Sequence, residues 1–539
     1  MQDGTPTPLD IRRGIAQAFD ALPIFARSLE TALYNFCAVM EVNSFMAGAS
    51  KKAIYSANRE TVEACNLALT ALLDKCQHDS DQELRINQAA YEEAYELFSF
   101  STDYEQAKFC FELADRGQFL LEVEPGSQRL KFSYASPGEA AADTLLRSAE
   151  LTEHLGEPPT PEEVAALMTV VNAVAAELQK TIRFVSTDGI EYEYSAAFIS
   201  AVKRWAILLE QAAPWEIPET IGLGTMHFAD VRKFWGALLA IVNTHELAHR
   251  IASQGAIQSW PIGSIVNMRA TTEWVDLIST ISGLSPAVCK EILSWHVFDP
   301  RVMAISPSVQ PFIEVRPNTL IAPWTAVVLS SIERNLQKIL NRHPRLRSMA
   351  ENIKKHKEQI ALASLSRLFS APRFQVATGV VIPGVTDADM IVYERQSGFV
   401  LVLQHKWIID PDTLHESAAN DDELNKGAVQ AVQSRDWLRA NQDFLQRALG
   451  LAPSDPITQV EAAVVCRGGG PTAFLHQTST PITTETAFEK LWQKAISLIE
   501  LWSLLQTRPD HTEAASQFQD ANRVITIGDY EIVVPVLIG

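Results

Sequence analysis

The sequence predicts a multi-domain chain of mixed α/β class, in which a mostly α-helical N-terminal region precedes a C-terminal α/β unit. Three observations lead to this prediction. The chain has 539 residues, more than the roughly 100–200 residues of an ordinary domain. Apolar residues recur every three or four positions over much of the first two-thirds. After Pro344 the pattern changes to a helix, a group of strands, and then alternating helices and strands.

Residues 1–156 are predicted to form a helical domain with one small hairpin. Ile24, Leu29 and Leu33 belong to a run of apolar residues at helical spacing. Two alternating stretches, GQFLLEV and RLKFSY, flank the turn EPGSQ and predict the hairpin. A further helix is expected over residues 137–155. The breaker-rich GEPPTPEE that follows sets the first domain boundary.

Residues 157–345 are predicted to form a second, mostly helical domain. A short strand or hairpin is expected at DGIEYEY, and a long amphipathic helix over residues 228–254. The stretch TTEWVDLISTISGLSPAVCKEILSWHVF predicts two helices, because Ser285 is a favourable N-cap and Pro286 a favourable first helical residue. Helical packing is therefore expected up to residue 345.

Residues 346–539 are predicted to form a third domain of mixed helices and strands. Helices are expected at 350–369, 422–440 and 485–506, and strands at 373–382, 387–394, 398–406, 458–466 and within RVITIGDYEIVVPVLIG. This order of elements is typical of an α/β unit in which helices cover a sheet.

Charge is distributed unevenly along the chain. The formal net charge of -20 at pH 7 argues against loose coating of nucleic acid, because such binding depends on Lys and Arg that neutralise phosphates. One basic segment, RNLQKILNRHPRLRSMAENIKKHK at residues 334–357, leads directly toward the strands of the third domain. Contact with nucleic acid is therefore expected to be local.

The sequence shows no signal for export or membrane insertion. The stretch MQDGTPTPLDIRRGIAQAF lacks a basic leader followed by an apolar core, and no apolar run approaches the ~20 residues that span a bilayer. The six cysteines include no CxxC pair and lie far apart, so neither a disulfide framework nor a cysteine metal site is expected. A cytoplasmic protein without membrane contact is the expectation.

An apolar strand in the third domain ends in polar residues. The strand FVLVLQHKW follows the acidic strand DADMIVYE across a turn at residues 396–397. Pairing the strands outward from this turn places Asp389 opposite Gln404 and Asp387 opposite Lys406, with all four side chains on one face. Carboxylate and amide oxygens suit Mg²⁺, and a lysine can position the attacking water or stabilise phosphate charge. The hairpin end therefore suits phosphodiester hydrolysis.

This hairpin resembles the PD-(D/E)xK nuclease superfamily, and its version with glutamine, Gln404-His405-Lys406-Trp407, is similar to the Mrr-type restriction endonucleases. The resemblance covers about residues 346–470. It implies a restriction-endonuclease-like core, in which a mixed sheet is flanked by helices. It also implies hydrolysis of phosphodiester bonds, with Mg²⁺ or Mn²⁺ as the cofactor.

The resemblance gives individual residues their expected roles. Asp389 and Gln404 match the metal ligands of the superfamily, and Lys406 matches its catalytic lysine. Glu358, in the preceding helix, is the candidate for a further acidic residue of the catalytic site. Gln430, in the following helix, occupies the place of a supporting glutamine.

Two positions depart from the superfamily pattern. Gln404 is neutral where most members carry a carboxylate, and Asp387 is expected to compensate as a further metal ligand. The proline of the "PD" element is missing, since Thr386 and Ala388 flank Asp387.

The expected function is that of a metal-dependent endonuclease acting on nucleic acid. DNA is the expected substrate, and defence of a prokaryote against foreign DNA is the setting that family-level analogy favours. The helical region is expected to recognise substrate, to hold a protein partner or a second copy of the chain, or to restrain the nuclease.

A second motif keeps other functions open. HELAH at residues 245–249 is an HExxH motif within a predicted helix, and it resembles that of the zincin metallopeptidases. His245 and His249 would bind Zn²⁺, Glu246 would act as general base, and Glu273 is the candidate third ligand. The histidines also continue an apolar stripe, as hydrogen-bonded structural histidines would. A third possibility is a catalytically silent nucleic-acid-binding or scaffold protein.

Overall fold

Helices make up most of the secondary structure described before residue 374, as the apolar spacing predicts. The computed structural model describes residues 7–46, 64–79, 84–136, 160–186, 189–213, 215–254, 262–299, 307, 309–328, 330, 332–342, 346–409, 414–467, 480–507 and 519–538. Its fold is mixed α/β. The helix predicted over 137–155 lies outside the described residues.

The helices range from 5 to 28 residues in length. In chain order they are α1 (Pro8–Asp20), α2 (Leu29–Met46), α3 (Gln88–Asp115), α4 (Pro161–Thr181), α5 (Ala196–Ala212), α6 (Phe228–Gln254), α7 (Thr271–Ser282), α8 (Pro286–Trp295), α9 (Trp324–Val328), α10 (Ile332–Arg342), α11 (Arg347–Arg367), α12 (Leu414–Ala440), α13 (Gln442–Leu449), α14 (Glu485–Lys494) and α15 (Leu498–Thr507). Residues 64–75 are also helical.

The strands form several separate sheets. They are β1 (Phe119–Val123), β2 (Arg129–Tyr134), β3 (Arg183–Ser186), β4 (Gly189–Glu191), β5 (Gly222–Leu223), β6 (Met226–His227), β7 (Met268–Ala270), β8 (Ile313–Arg316), β9 (Thr319–Ile321), β10 (Phe374–Val381), β11 (Asp387–Glu394), β12 (Phe399–Trp407), β13 (Gln459–Arg467), β14 (Ile482–Thr484), β15 (Gln519–Ile527) and β16 (Tyr530–Ile538).

Local signals place most helix ends. The long helix α6 has the predicted bounds, and α7 and α8 are separate helices as predicted. The hydroxyl of Ser285 accepts the N–H of Val288 and caps α8. The predicted helix over 485–506 is instead two helices, because Ala495 is extended with φ -88° and ψ 140° and ends α14.

A five-stranded mixed sheet lies in the C-terminal part, in the order β10-β11-β12-β13-β14. The first two strand pairs are antiparallel and the last two are parallel. One face packs on α12 and α13, and the other packs on α11, α14 and α15. Buried Leu, Val and Ile on both faces explain why β12 is apolar almost throughout.

The last two strands belong to a different sheet. The order β1-β2-β16-β15 joins them to the N-terminal hairpin, with β16 parallel to β2. The sequence predicts these strands within the domain of residues 346–539, whereas in the structure β16 pairs with β2 and β15 pairs with β16. Their apolar side chains pack with α1 and α3, including Ile11 and Phe111. The chain therefore returns to its N-terminal part after it leaves the five-stranded sheet.

A buried group of charges joins the helical part of the chain to the five-stranded sheet. The Lys357 side chain of α11 is 4% exposed, pairs with Glu333 of α10, and lies 3.4 Å from Glu216. Its ammonium also lies 4.3 Å from the centre of the Trp407 ring, at the end of β12. A buried charge of this kind is tolerated because it has charged partners.

Lys357→Met is expected to lower the free energy of unfolding by about 3 kcal/mol, because it leaves Glu333 buried without its cationic partner. Lys355→Met is the matched control, since Lys355 lies on the same helix with an exposed side chain and should change stability by less than about 0.5 kcal/mol. Urea unfolding of both variants measures the difference. Equal stability of the two variants would contradict the structural importance of this charge group.

All six cysteines are buried. None of the helices in the described ranges combines the length and apolar character that crossing a bilayer requires.

Candidate functional site

The hairpin of β11 and β12 has the predicted register. Pairs run from Glu394 opposite Phe399 to Met390 opposite Leu403. The turn is closed by the N–H of Gly398, which donates to Glu394 O at 2.9 Å. Gly398 has φ +68°, and a Cβ there would lie 2.6 Å from the carbonyl oxygen of Pro456, so the turn requires glycine.

The two strands stop pairing through their backbones at the polar end. Beyond Met390, the carboxylate of Asp389 accepts the backbone N–H of His405 at 2.7 Å. The Asp389 side chain therefore takes the place of a backbone acceptor. Residues 405–407 stay paired on their other side, with β13.

Gln404 lies just beyond the last pair of this register, in the position that would face Asp389 if the pairing continued, and it is 6% exposed. By strand alternation its side chain shares a face with Val402 and Val400, which pack in the layer of α12. Its Oε1 atom has no hydrogen-bond partner among the described residues. A buried amide oxygen without a donor costs free energy, so this atom is suited to binding a cation or a water.

Lys406 extends along the same face toward α12. Its Nζ donates to Gln430 Oε1 at 2.8 Å. Gly427 permits the close approach of the helix, since a Cβ there would lie 2.9 Å from Lys406 Cε. Burial lowers the pKa of Lys406, while the nearby carboxylates of Asp389 and Glu423 oppose that shift. Gln430, the expected supporting glutamine, therefore holds the expected catalytic lysine, Lys406, in place.

Asp389 is electrostatically coupled to its neighbours. Burial raises the pKa of its carboxyl, the hydrogen bond from His405 N–H and the charge of Lys406 oppose the rise, and Glu358 adds to it. Glu358 is therefore close enough to influence the pKa of Asp389, and its part in a catalytic site stays a prediction. Its carboxylate is 3.9 Å from Lys354, one turn earlier on α11.

Asp387 lies apart from this group. It is exposed, and it pairs with Val381 of β10. None of the hydrogen bonds or ion pairs found among the described residues joins its carboxylate to Lys406. Its role as a further metal ligand stays a prediction.

The donors at the hairpin end suit a hard cation. Asp389 offers carboxylate oxygens and Gln404 offers an unpartnered amide oxygen, which are ligand types that Mg²⁺ prefers. Within the described ranges, no group of three or more His, Cys, Asp or Glu side chains is arranged to hold a metal ion. A site built here would therefore need water and substrate phosphate to complete the metal's coordination, as is usual for Mg²⁺.

The HExxH histidines lie together on α6 and contact one backbone oxygen. The Nε2 atoms of His245 and His249 lie 3.1 and 3.0 Å from the carbonyl oxygen of Ser264. The Nδ1 atom of His245 is 3.0 Å from the hydroxyl of Tyr192. Burial lowers the pKa of His249 to about 4, so its ring is neutral near pH 7. These contacts hold the short 3-10 turn at Ser264 against α6.

The remaining residues of the zinc alternative have other partners. Glu246 pairs with Arg250, one turn later on α6. Glu273, the expected third ligand, accepts the N–H of Ala270 at 3.1 Å and caps its own helix. Within the part of the chain that is described, no contact joins Glu273 to the two histidines.

A small cavity lies beside the histidines and contains a carboxyl that sequence analysis does not single out. It measures about 20 Å³, room for about one water, and is lined by Glu41, His245, Glu246, His249, Ile265 and Trp324. Glu41 Oε1 accepts the N–H of Trp324 at 2.6 Å. Burial raises the pKa of Glu41 to about 8, and the charge of Glu246 adds to the rise.

Comparisons with known proteins do not assign the chain to a family. No protein-family model, curated protein or solved structure matches the chain. The geometry at the end of β12 is therefore the basis for assigning a function.

Proposed function

We propose that the five-stranded sheet and its helices form a Mg²⁺-dependent nuclease. The observation that supports this most directly is the buried Oε1 atom of Gln404, which has no hydrogen-bond partner among the described residues. Gln404 and Asp389 both lie just beyond the last backbone pair of the hairpin, and Gln404 is two residues before Lys406. Two oxygen donors and an ammonium at the end of an apolar hairpin suit metal-assisted hydrolysis of a phosphodiester. A restriction-endonuclease-like core is part of this proposal.

Each residue would have a distinct task. Asp389 and Gln404 would hold Mg²⁺ or Mn²⁺, which when bound polarises the phosphate and acidifies water. Lys406, fixed by Gln430, would place its ammonium against the phosphate oxygens and stabilise the negative charge that develops there. Glu358 would orient the attacking water through its carboxylate, on the side of α11.

We propose DNA as the substrate, bound locally rather than over the whole surface. Helix α11 carries Glu358 and also the exposed basic residues Arg347, Lys354 and Lys355. Lys354 is close enough to Lys406 to lower its pKa. Phosphate contacts on this helix would bring the strand to the site, while the net charge of -20 limits binding elsewhere.

The proposed setting is cytoplasmic cleavage of foreign DNA in a prokaryote, by analogy with the restriction-type nucleases. Cutting both strands would use a second copy of the chain or a protein partner held by the helical region. These proposals rest on the nuclease and fail with it.

Asp389→Asn is expected to abolish metal-dependent cleavage, because the carboxylate is the charged metal ligand in this site. The experiment compares plasmid DNA, single-stranded DNA and RNA with Mg²⁺, Mn²⁺ or EDTA. As a control, Asp436→Asn changes an exposed aspartate on α12, outside the site, and should retain cleavage. Cleavage that persists in EDTA or in Asp389→Asn would rule out the proposed site.

The other functions would give different results in the same preparation. A zinc metallopeptidase would contain stoichiometric zinc that is lost in His249→Ala. A silent binding or scaffold protein would bind DNA or a partner equally well with and without the Lys406 ammonium, and would cut no substrate.

A further inference from the structure

The end of β12 is held differently on its two sides. Toward β13 it keeps backbone pairs at His405, Lys406 and Trp407. Toward β11 the pairing has ended, and the bond from His405 N–H to the Asp389 carboxylate joins the two strands there. The position of the His405 backbone therefore decides where the Asp389 carboxylate sits.

The side chain of His405 points to the opposite face and contacts a helix terminus. Its Nε2 lies 2.7 Å from Glu485 Oε1, at the start of α14. The His405 side chain is 2% exposed and that of Glu485 is 12% exposed, so solvent competes little for this contact. The other oxygen of Glu485 accepts from Arg467, at the end of β13, at 3.2 Å.

Arg467 in turn reaches a residue of the helical part of the chain. Its Nε donates to Glu216 Oε1 at 3.0 Å, and its second terminal nitrogen donates to the same oxygen. The guanidinium also lies 4.9 Å from the centre of the Trp407 ring. One arginine therefore contacts the β12 end, the start of α14 and the segment that follows α5.

Glu216 is itself fixed from behind. The backbone N–H groups of Glu216 and Ile217 donate to Glu333 Oε2 at 2.7 and 3.0 Å. Lys357 bridges the carboxylates of Glu216 and Glu333. Because Glu216 is held by these contacts, it can keep the Arg467 guanidinium in place, whereas a flexible surface glutamate would move with it.

We propose that Glu216 is a positioning residue for the nuclease site, acting through Arg467, Glu485 and His405 on the metal ligand Asp389. This inference rests on the proposed function. It gives the helical region a specific role: its Glu216 segment sets the affinity of the nuclease site for the metal ion. A partner that displaced this segment would weaken metal binding without touching Asp389.

The test measures metal binding and cleavage separately on the full-length chain. Mn²⁺ binding is followed by electron paramagnetic resonance of the free ion, and cleavage is followed as a function of Mg²⁺ concentration. Glu216→Gln is expected to raise the Mn²⁺ dissociation constant and the half-maximal Mg²⁺ concentration by up to roughly 10-fold, the lower end of the effect of residues that contact metal ligands directly, because Glu216 acts through intervening side chains. Asp389→Asn identifies the binding that belongs to this site.

The matched control is Glu93→Gln. Glu93 also accepts two hydrogen bonds from one arginine, Arg27, and its side chain is 18% exposed, but it lies outside the chain of contacts. This variant should bind Mn²⁺ and cleave as wild type does. It therefore measures what loss of an arginine–glutamate pair does by itself.

A double-mutant cycle tests the route. His405→Ala should weaken Mn²⁺ binding, and Glu216→Gln should add little to that loss in the double variant, because both act along one chain of contacts. Losses that multiply in the double variant would refute transmission through His405. Far-ultraviolet circular dichroism shows whether Glu216→Gln is folded. If it is folded and its Mn²⁺ affinity is unchanged, the inference is overturned.

The outcomes separate this inference from the nuclease itself. Site-specific Mn²⁺ binding without cleavage of any substrate would end the nuclease proposal, while the Mn²⁺ affinities would still decide the role of Glu216. Absence of Mn²⁺ binding that depends on Asp389 would end both. Cleavage with wild-type metal requirement in Glu216→Gln would end the inference and leave the nuclease standing.

Discussion

Lys406→Met is expected to slow metal-dependent cleavage by a factor on the order of 10²–10³. Methionine retains an apolar stem beside Gly427, but it removes the ammonium that donates to Gln430. Asp389 and Gln404 are unchanged, so Mn²⁺ should still bind. Single-turnover cleavage of plasmid DNA at saturating Mg²⁺ measures the loss, and Mn²⁺ binding shows whether it is a loss of chemistry.

The control for this variant is Lys180→Met, which removes an exposed ammonium that pairs with Glu177 on α4, outside the site. It should cleave at the wild-type rate.

The cleavage rate of the wild type should fall as pH rises through the lowered pKa of Lys406, because the neutral amine no longer stabilises phosphate charge. Near-normal cleavage by Lys406→Met would exclude the ammonium from the mechanism.

Glu41→Gln is expected to stabilise the fold at alkaline pH. The raised pKa of about 8 compares with an ordinary value of 4.5, so the fold favours the protonated carboxyl. The stability that this preference contributes is fully present below about pH 4.5 and is lost as pH rises through about 8. The total loss is on the order of 5 kcal/mol.

Glutamine retains an oxygen that can accept the N–H of Trp324 but never ionises. Relative to wild type, Glu41→Gln should therefore gain stability between pH 5 and pH 9, as measured by urea unfolding at several pH values. Glu96→Gln, at an exposed position of α3, serves as the control and should follow wild type. A constant difference between Glu41→Gln and wild type across this pH range would mean that Glu41 is ionised in the folded protein throughout.

The parts of the structure that the sequence predicts are those set by neighbouring residues. The register of β11 and β12 follows from a short turn that ends in Gly398 and from alternation on both sides of it. The ends of α6 and α8 follow from apolar spacing and from the cap at Ser285. These signals act over a few residues, so they can be recognised without knowledge of the fold.

The contacts that the sequence does not predict join distant segments. Glu216 and Arg467 meet across two different parts of the chain, and neither residue belongs to a local pattern. The same holds for Glu41 and His245, which line one cavity although they lie on different helices far apart in the sequence. For Asp387 a local pattern predicts too much. Strand alternation gives the face on which its side chain lies, but it does not reveal that the pairing of β11 with β12 ends at Met390, before Asp387 is reached.

Because β2 pairs with β16, one of the last strands to be synthesised, β2 lacks this partner during most of protein synthesis. Residues 129–131 leave the ribosome well before residues 531–533, with which they pair. At roughly 5–20 residues per second, the interval is on the order of tens of seconds. All strands of the five-stranded sheet are made within it, so a nascent chain can assemble the candidate site while the edge of β2 still awaits its partner.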